Sequence, residues 1–326
     1  MCILRSLLMA LSVFMVGAAA TTARAADNFP SKPLRYIVPF APGGATDLVG
    51  RLIGEQLSGK LGQQVVVENR SGAGGLIGTR FVAHSPPDGY TMVGVTFNYL
   101  VYPVLFTNPG IDILKDLAPV TQIVTYPSIL VVPTNSPYKS VKDLVEDAKK
   151  NPGKLTYATS GVGTASHIAG ELLNRDAGIK ITHVPYRGGG PANIDVIAGH
   201  VTMHFANLGS SIQYIRGGQL RPLAVATAKR LPGFPDVPTM EESGFPDFLV
   251  NEFQGVLVPA ATPPAIVARL NKEIVGILRT PEMQEKFESM GGQLVASSPA
   301  EFAAFIKSDS AKWTAVAKDA GIKPLE

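Results

Sequence analysis

The chain has 326 residues, 17 % of them charged, and a formal net charge of +3 at pH 7; that length is enough for two ordinary domains and a substantial core. So balanced a charge excludes a nucleic-acid binder, which carries a basic stripe. Beyond the amino terminus no apolar run reaches the roughly 18 residues that a membrane-spanning helix needs.

Residues 1–25 read as a secretory signal. Arg5 supplies the positive start, Ser6 to Ala20 the apolar stretch, and Ala23-Arg24-Ala25 an A-x-A site, so cleavage is expected after Ala25. The competing reading is an uncleaved membrane anchor. Removing this segment takes away Arg5 and Arg24 and leaves a net charge of +1. The single cysteine, Cys2, goes with it, which excludes disulfides, thiolate metal sites and a cysteine nucleophile. An exported, cysteine-free protein of this size is expected in the periplasm.

The remaining chain alternates strand and helix. Tyr36–Phe40 is a predicted strand and Thr46–Leu57 a predicted helix, with Leu48, Val49, Leu52, Ile53 and Leu57 on one apolar face. Val65–Val67 is a short strand. Ser71–Gly75 is a glycine loop that opens a helix to about Ala83, and Pro86-Pro87-Asp88-Gly89 is a turn. Thr91–Val95 is the next strand. Such alternation predicts α/β architecture, a parallel sheet covered by helices. Around Val120–Pro133 two extended segments follow each other with no helix between, and the same holds around Leu223–Thr227 and Gln254–Pro259. These are read as strands crossing between two lobes: residues 26–125 and 229–326 form lobe 1, and residues 126–228 form lobe 2. Leu231–Pro246 is expected to be an irregular surface run. Helices are predicted near Pro264–Leu278, Pro281–Met290 and Pro299–Ala320, each opened by a proline.

Two stretches share one construction. In 36–57 an apolar strand meets Ala41-Pro42-Gly43-Gly44-Ala45-Thr46-Asp47 and then an amphipathic helix; 155–173 repeats this around Ser160-Gly161-Val162-Gly163-Thr164-Ala165-Ser166. Each aims the free N–H groups of a helix start beyond its strand, a ready anion site, and two such loops on opposite cleft walls suit one small anionic solute. In the first loop Gly43 and Gly44 permit close backbone approach and Thr46 adds a hydroxyl; Asp47 either braces the loop or receives an amino group of the ligand. A plain strand-to-helix turn explains this loop equally well. In the second, capping needs one hydroxyl and contributes about 1 kcal/mol, whereas Ser160, Thr164 and Ser166 offer three beside Gly161 and Gly163, which favours binding. Arg187-Gly188-Gly189-Gly190-Pro191 resembles a further strand-to-helix loop, with Arg187 read as a surface residue. Gly72-Ala73-Gly74-Gly75 fails the dinucleotide fingerprint, because Ile77 stands where its third glycine belongs.

Nothing supports catalysis. No G-x-S-x-G elbow occurs, Ser166 and His167 diverge on a helix, and the five histidines form no ligand spacing such as H-E-x-x-H. His200 and His204 are read as structural and Trp313 as core. No catalytic residue, cofactor or metal site is expected.

As a set, PSKPLRYIVPFAPGGATD, VVVENRSGAGG, PPDGYT, KLTYATSGVGTASH, THVPYRGGGPANIDVIAGHV and AVATAKRLPGFPDVPTMEESG resemble the solute-binding proteins of tripartite tricarboxylate transporters, the Bug family. The resemblance covers nearly all of the mature chain. It implies a two-lobed periplasmic-binding-protein fold of type II, each lobe a mixed, mostly parallel sheet flanked by helices. Such a protein closes on a small carboxylate and delivers it to the membrane permease subunits. The implied ligand-binding residues are Phe40, Ala41, Gly43, Gly44, Thr46 and Asp47 in lobe 1, Ser160, Gly161, Gly163, Thr164 and Ser166 in lobe 2, with Thr96, Asn98 and Asn207. Two departures stand out: Phe97-Asn98-Tyr99 replaces small residues or a histidine, and Ala206-Asn207 replaces an aspartate. Phe97 and Tyr99 would then stack on an aromatic carboxylate. A monomer is expected, and the alternative role is a sensor that hands its liganded form to a membrane kinase.

Overall fold

The computed structural model describes residues 29–319 and 321. The signal segment 1–25 with its cleavage site, and Ala320 at the end of the last predicted helix, lie outside the described residues. Among the described residues no helix is long and apolar enough to cross a membrane.

Strand β1 (Leu34–Val38) is apolar and almost wholly buried. A loop through Gly44 leads into α1 (Ala45–Leu61), which runs a turn past its predicted end until Gly62, at φ +66°, caps it. Val49, Ile53 and Leu57 face the core, while Leu48 is exposed. Strands β2 (Val65–Asn69) and β3 (Thr91–Val95) flank β1 in parallel. Between them a 3₁₀ turn at Ala73–Gly75 opens α2 (Leu76–Ala83). Helix α3 (Asn98–Leu105) follows β3 and has no counterpart in the sequence reading. All its residues except Pro103 are buried, so it lacks the polar face by which an amphipathic helix is recognised.

The two extended segments read around residues 120–133 are one 17-residue strand, β4 (Leu117–Pro133). Its prolines suggest breaks, but Pro119 lies at a register shift, Pro127 at the last pair with β9, and Pro133 at the strand's end; a bulge is where a ladder tolerates proline. There follow α4 (Val141–Lys150), opened by a capping box of Ser140 and Asp143, β5 (Thr156–Thr159) and α5 (Ala165–Ala177). The second half continues with β6 (Thr182–Pro185), α6 (Gly189–Ile197), β7 (Met203–Asn207), α7 (Leu208–Arg216) and β8 (Leu220–Val225). The chain returns through β9 (Asn251–Pro259) and ends with α8 (Pro264–Leu278), α9 (Pro281–Ser289), β10 (Gln293–Leu294) and α10 (Pro299–Asp319).

The main strand order is β2-β1-β3-β9-β4-β7-β5-β6, with β8 and β10 also on β4. The outer pairs are parallel, as βαβ crossovers require; those among β3, β9, β4 and β7 are antiparallel. Strand β4 serves both halves. Leu117 to Pro127 pair with β9, and from Ser128 onward its partners are β7 and β8. The mixed α/β sheet therefore curls into two lobes. Of the segments read as crossings, β9 returns to the first lobe, whereas β8 stays on the second. The run Leu231–Pro246 is irregular as expected, but it is more than surface: Val237, Met240 and Phe245 are buried, and the Met240 N–H donates to the Val225 carbonyl.

Candidate functional site

Four helices begin at one small cavity between the lobes. Its walls are Phe40, Gly44, Ala45 and Thr46 at the start of α1, Thr96 after β3, Ser160 and Thr164 before α5, Gly189 at the start of α6, Asn207 and Ser210 at the start of α7, and Glu252 on β9. The cavity volume is about 20 Å³, room for about one water, so a solute is taken in only as the lobes move apart. An uncapped helix start presents unpaired N–H groups and the positive end of the dipole. At α1, α5 and α6 no side chain caps the first turn; at α7 the Asn207 side chain accepts from the Gly209 N–H.

The side chains able to cap are committed to holding the loops. In the first loop the Asp47 carboxylate accepts from the Gly43 N–H at 3.0 Å, Arg51 Nε at 3.1 Å and Asn69 Nδ2 at 2.9 Å. Asn69 also donates to the Phe40 carbonyl. Burial opposes ionisation of Asp47, but the hydrogen bonds from Arg51, Gly43 and Asn69 and the Arg51 charge outweigh it and hold the carboxyl below its usual range. Of the two roles read from sequence, the structure shows the brace. In the second loop the Thr164 hydroxyl donates back to the Gly161 carbonyl at 2.6 Å, and Ser166 Oγ accepts from the Ser160 N–H at 3.0 Å. The Gly163 N–H donates to Nδ1 of His167 at 3.1 Å. The His167 ring stacks on His183 at 4.3 Å between centroids, and His183 stacks on Tyr157. Burial, with the neighbouring His183, pushes His167 down to about 3; burial pushes His183 down to about 4.

Backbone meets backbone around the cavity. The Ala41 N–H donates to the Arg187 carbonyl at 2.7 Å. A Cβ on Gly190 would lie 2.8 Å from the Pro42 carbonyl oxygen, and one on Gly74 would lie 2.5 Å from that of Val162. The lobes are thus closed on one another through glycine loops.

Of the residues singled out from sequence, Phe40, Gly44, Thr46, Thr96, Ser160, Thr164 and Asn207 line the cavity. The other seven do not. Gly161 borders the outer mouth with Ser71–Gly75 and Tyr186–Arg187. Ala41 makes the cross-lobe bond; Gly43, Asp47 and Ser166 brace their loops. Asn98 accepts from the Thr96 hydroxyl and donates to the Gly74 carbonyl and Tyr102, which fixes the glycine loop from below. Gly163 faces the core, where an added Cβ would fall 1.9 Å from Leu105 Cδ1. Phe97 and Tyr99, expected to stack on an aromatic ligand, are core residues: Phe97 packs edge-on against Trp313 at 4.7 Å, and the Tyr99 hydroxyl donates to the Ile113 carbonyl. A residue at the first turn of a helix buried on all sides points into the protein rather than the cleft.

Sequence reasoning missed Ala45, Gly189, Ser210 and Glu252. Gly189 belongs to the Gly188–Gly190 loop, whose strand-to-helix pattern was visible. Glu252 is 8 % exposed, and its Oε2 accepts from Asn207 Nδ2 at 2.8 Å. Burial pushes its carboxyl up to about 7 against the effect of that hydrogen bond. Its signal was one acid in the otherwise uncharged run Phe248–Ala260.

Two lobes joined by shared strands, closing on a cavity ringed by helix starts, define a solute-binding protein of the periplasmic type. The chain belongs to the tripartite tricarboxylate transporter receptor family: the profile described as "Tripartite tricarboxylate transporter family receptor" matches residues 49–322. It is 39 % identical, over 90 % of its length and 88 % of the relative's, to a protein of the tcbD-tcbE intergenic region of Pseudomonas sp. strain P51. Among solved structures, the periplasmic binding protein BugD superposes with a TM-score of 0.88 at 34 % identity, covering 91 % of this chain and all of that one. An R. palustris protein solved with adipate gives a TM-score of 0.88 at 35 % identity, covering 91 % of this chain and 100 % of its own. The family and these structures are solute-binding proteins, not enzymes.

Proposed function

We propose that this protein is a periplasmic receptor that takes a small carboxylate into the cavity between its lobes and delivers it to a tripartite tricarboxylate-type membrane transporter. The observation that carries the reading is the convergence of three uncapped helix starts, those of α1, α5 and α6, on one closed cavity. N–H groups near Thr46, Ala165 and Gly189, with the Ser160 hydroxyl, receive the carboxylate. Neutral donors bind it without the desolvation cost of burying a cation beside it. Adipate in the R. palustris relative supports the ligand class. Closure around the ligand then presents the permease with a surface that the open form lacks.

The test is a thermal-shift and calorimetric screen of residues 26–326, refolded free of any carried ligand, against mono-, di- and tricarboxylates, amino acids and uncharged controls of equal size. A ligand that binds only the folded state adds about 2.7 kcal/mol of stability at a hundredfold excess over its Kd. Saturable binding confined to carboxylates is expected. Binding of the uncharged controls alone would sink the proposal.

A further inference from the structure

We propose that Glu252 makes this site select a carboxylate that also carries an ammonium group, so that an amino acid is held and the matching plain acid is not. The proposal rests on the carboxylate reading above and concerns the other end of the ligand. Among the described residues Glu252 is the one ionisable side chain on the cavity wall, and it is an acid. Its side chain is more than nine-tenths buried. One oxygen, Oε2, accepts from Asn207; among the described residues no hydrogen bond is made to Oε1, and no lysine, arginine or histidine lies within ion-pairing distance of the carboxylate.

A buried carboxylate without a cation is costly, and a cation placed beside it removes much of that cost. The protein brings none, so a cation on the ligand is the natural partner. The cavity wall then offers both partners that a zwitterion needs: helix starts for its carboxylate, Glu252 for its ammonium. A plain dicarboxylate meets the same helix starts but sets its second carboxylate against Glu252, and like charges forced together count against the wrong ligand.

The experiment compares matched pairs by titration calorimetry at pH 7.5: aspartate with succinate, glutamate with glutarate, 4-aminobutyrate with butyrate. In the unmodified protein at least one amino member should bind tenfold or more tightly than its partner. Glu252→Gln keeps the shape and an oxygen for Asn207, and should bring the two members within about threefold. Glu252→Asp, which keeps the charge but withdraws it, should preserve the preference at reduced strength, and it serves if the Gln variant fails to melt cooperatively. Equal or tighter binding of the plain acids by the unmodified protein would overturn the proposal. So would equal losses for both members in the Gln variant, which would make Glu252 a contact between the lobes and not a selector. If no carboxylate of either kind binds, it is the receptor reading that fails, and this proposal falls with it.

Discussion

The two glycine loops begin from nearly the same sequence pattern and reach the same product, a helix start left free to bind, by opposite chemistry. The loop before α1 is held by charge: buried Asp47 gathers a backbone N–H, an arginine and an asparagine. The loop before α5 is held by neutral groups: two hydroxyls and a histidine that must stay unprotonated to accept from Gly163. The glycines differ too. Gly44 has ordinary backbone angles and nothing closer to a prospective Cβ than Gly189 N at 3.4 Å. Gly163 sits at φ +77° against Leu105. A binding loop therefore need not use its polar side chains on the ligand; here they hold the backbone that does.

Three tests would break or sharpen this contrast. The largest effect is expected from alanine at the two glycines. Gly163→Ala combines left-handed backbone strain with overpacking against Leu105 and should cost about 2–4 kcal/mol, whereas Gly44→Ala should cost under about 1 kcal/mol and act mainly on ligand affinity. Urea unfolding of both variants checks this, and equal costs would erase the distinction. Next, Asp47→Asn removes the charge that gathers its three donors and should cost about 1.5–3 kcal/mol. Much of the penalty should disappear on the unmodified side at high salt, where the exposed Arg51 end of the bridge is screened; Ser166→Ala at the neutral loop should show no such salt dependence.

The smallest effect is the pH profile. His167, His183 and His204 are depressed by burial to about 3, 4 and 3 from 6.5. Unfolded chains take up protons that the folded one refuses, so stability is present above about pH 6.5 and is lost as the pH falls toward 4. Glu252 runs the other way: raised to about 7 from 4.5, its contribution is present below about 4.5 and lost as the pH rises through 7. Melting temperature should peak in mildly acidic solution. Glu252→Gln should remove the loss that spans about pH 4.5 to 7 and leave the histidine-driven fall toward pH 4, and an unchanged profile between about pH 6 and 8 would show that the carboxylate is not strained there.

Much of this architecture was legible because it is written in local pattern. Apolar strands ending in glycine and feeding amphipathic helices marked β1–α1 and β5–α5, and prolines marked the starts of α8, α9 and α10. What stayed hidden depends on where distant segments meet. Glu252 and Ser210 reach the cavity only because β9 and β7 lie on either side of β4. Thr164 and Ser166 look like ligand hydroxyls until the geometry shows them bonding their own loop. Phe97 and Tyr99 look exposed beside a binding loop, yet α3 turns them into the core with Trp313.

Strand β4 has one further consequence. It has no linker where it passes from one lobe to the other, so the number of residues in it is a phase as well as a length. Side chains alternate faces along a strand with a period of two. One residue inserted between Pro127 and Ser128 would leave the ladder with β9 untouched and turn every later side chain of β4 over, sending Leu130 and Val132 to the layer that Ile129 and Val131 now occupy. Loops of this protein can lengthen at little expense, but its waist tolerates insertions only in even steps, which makes residue count at this one place a stricter inheritance than residue identity.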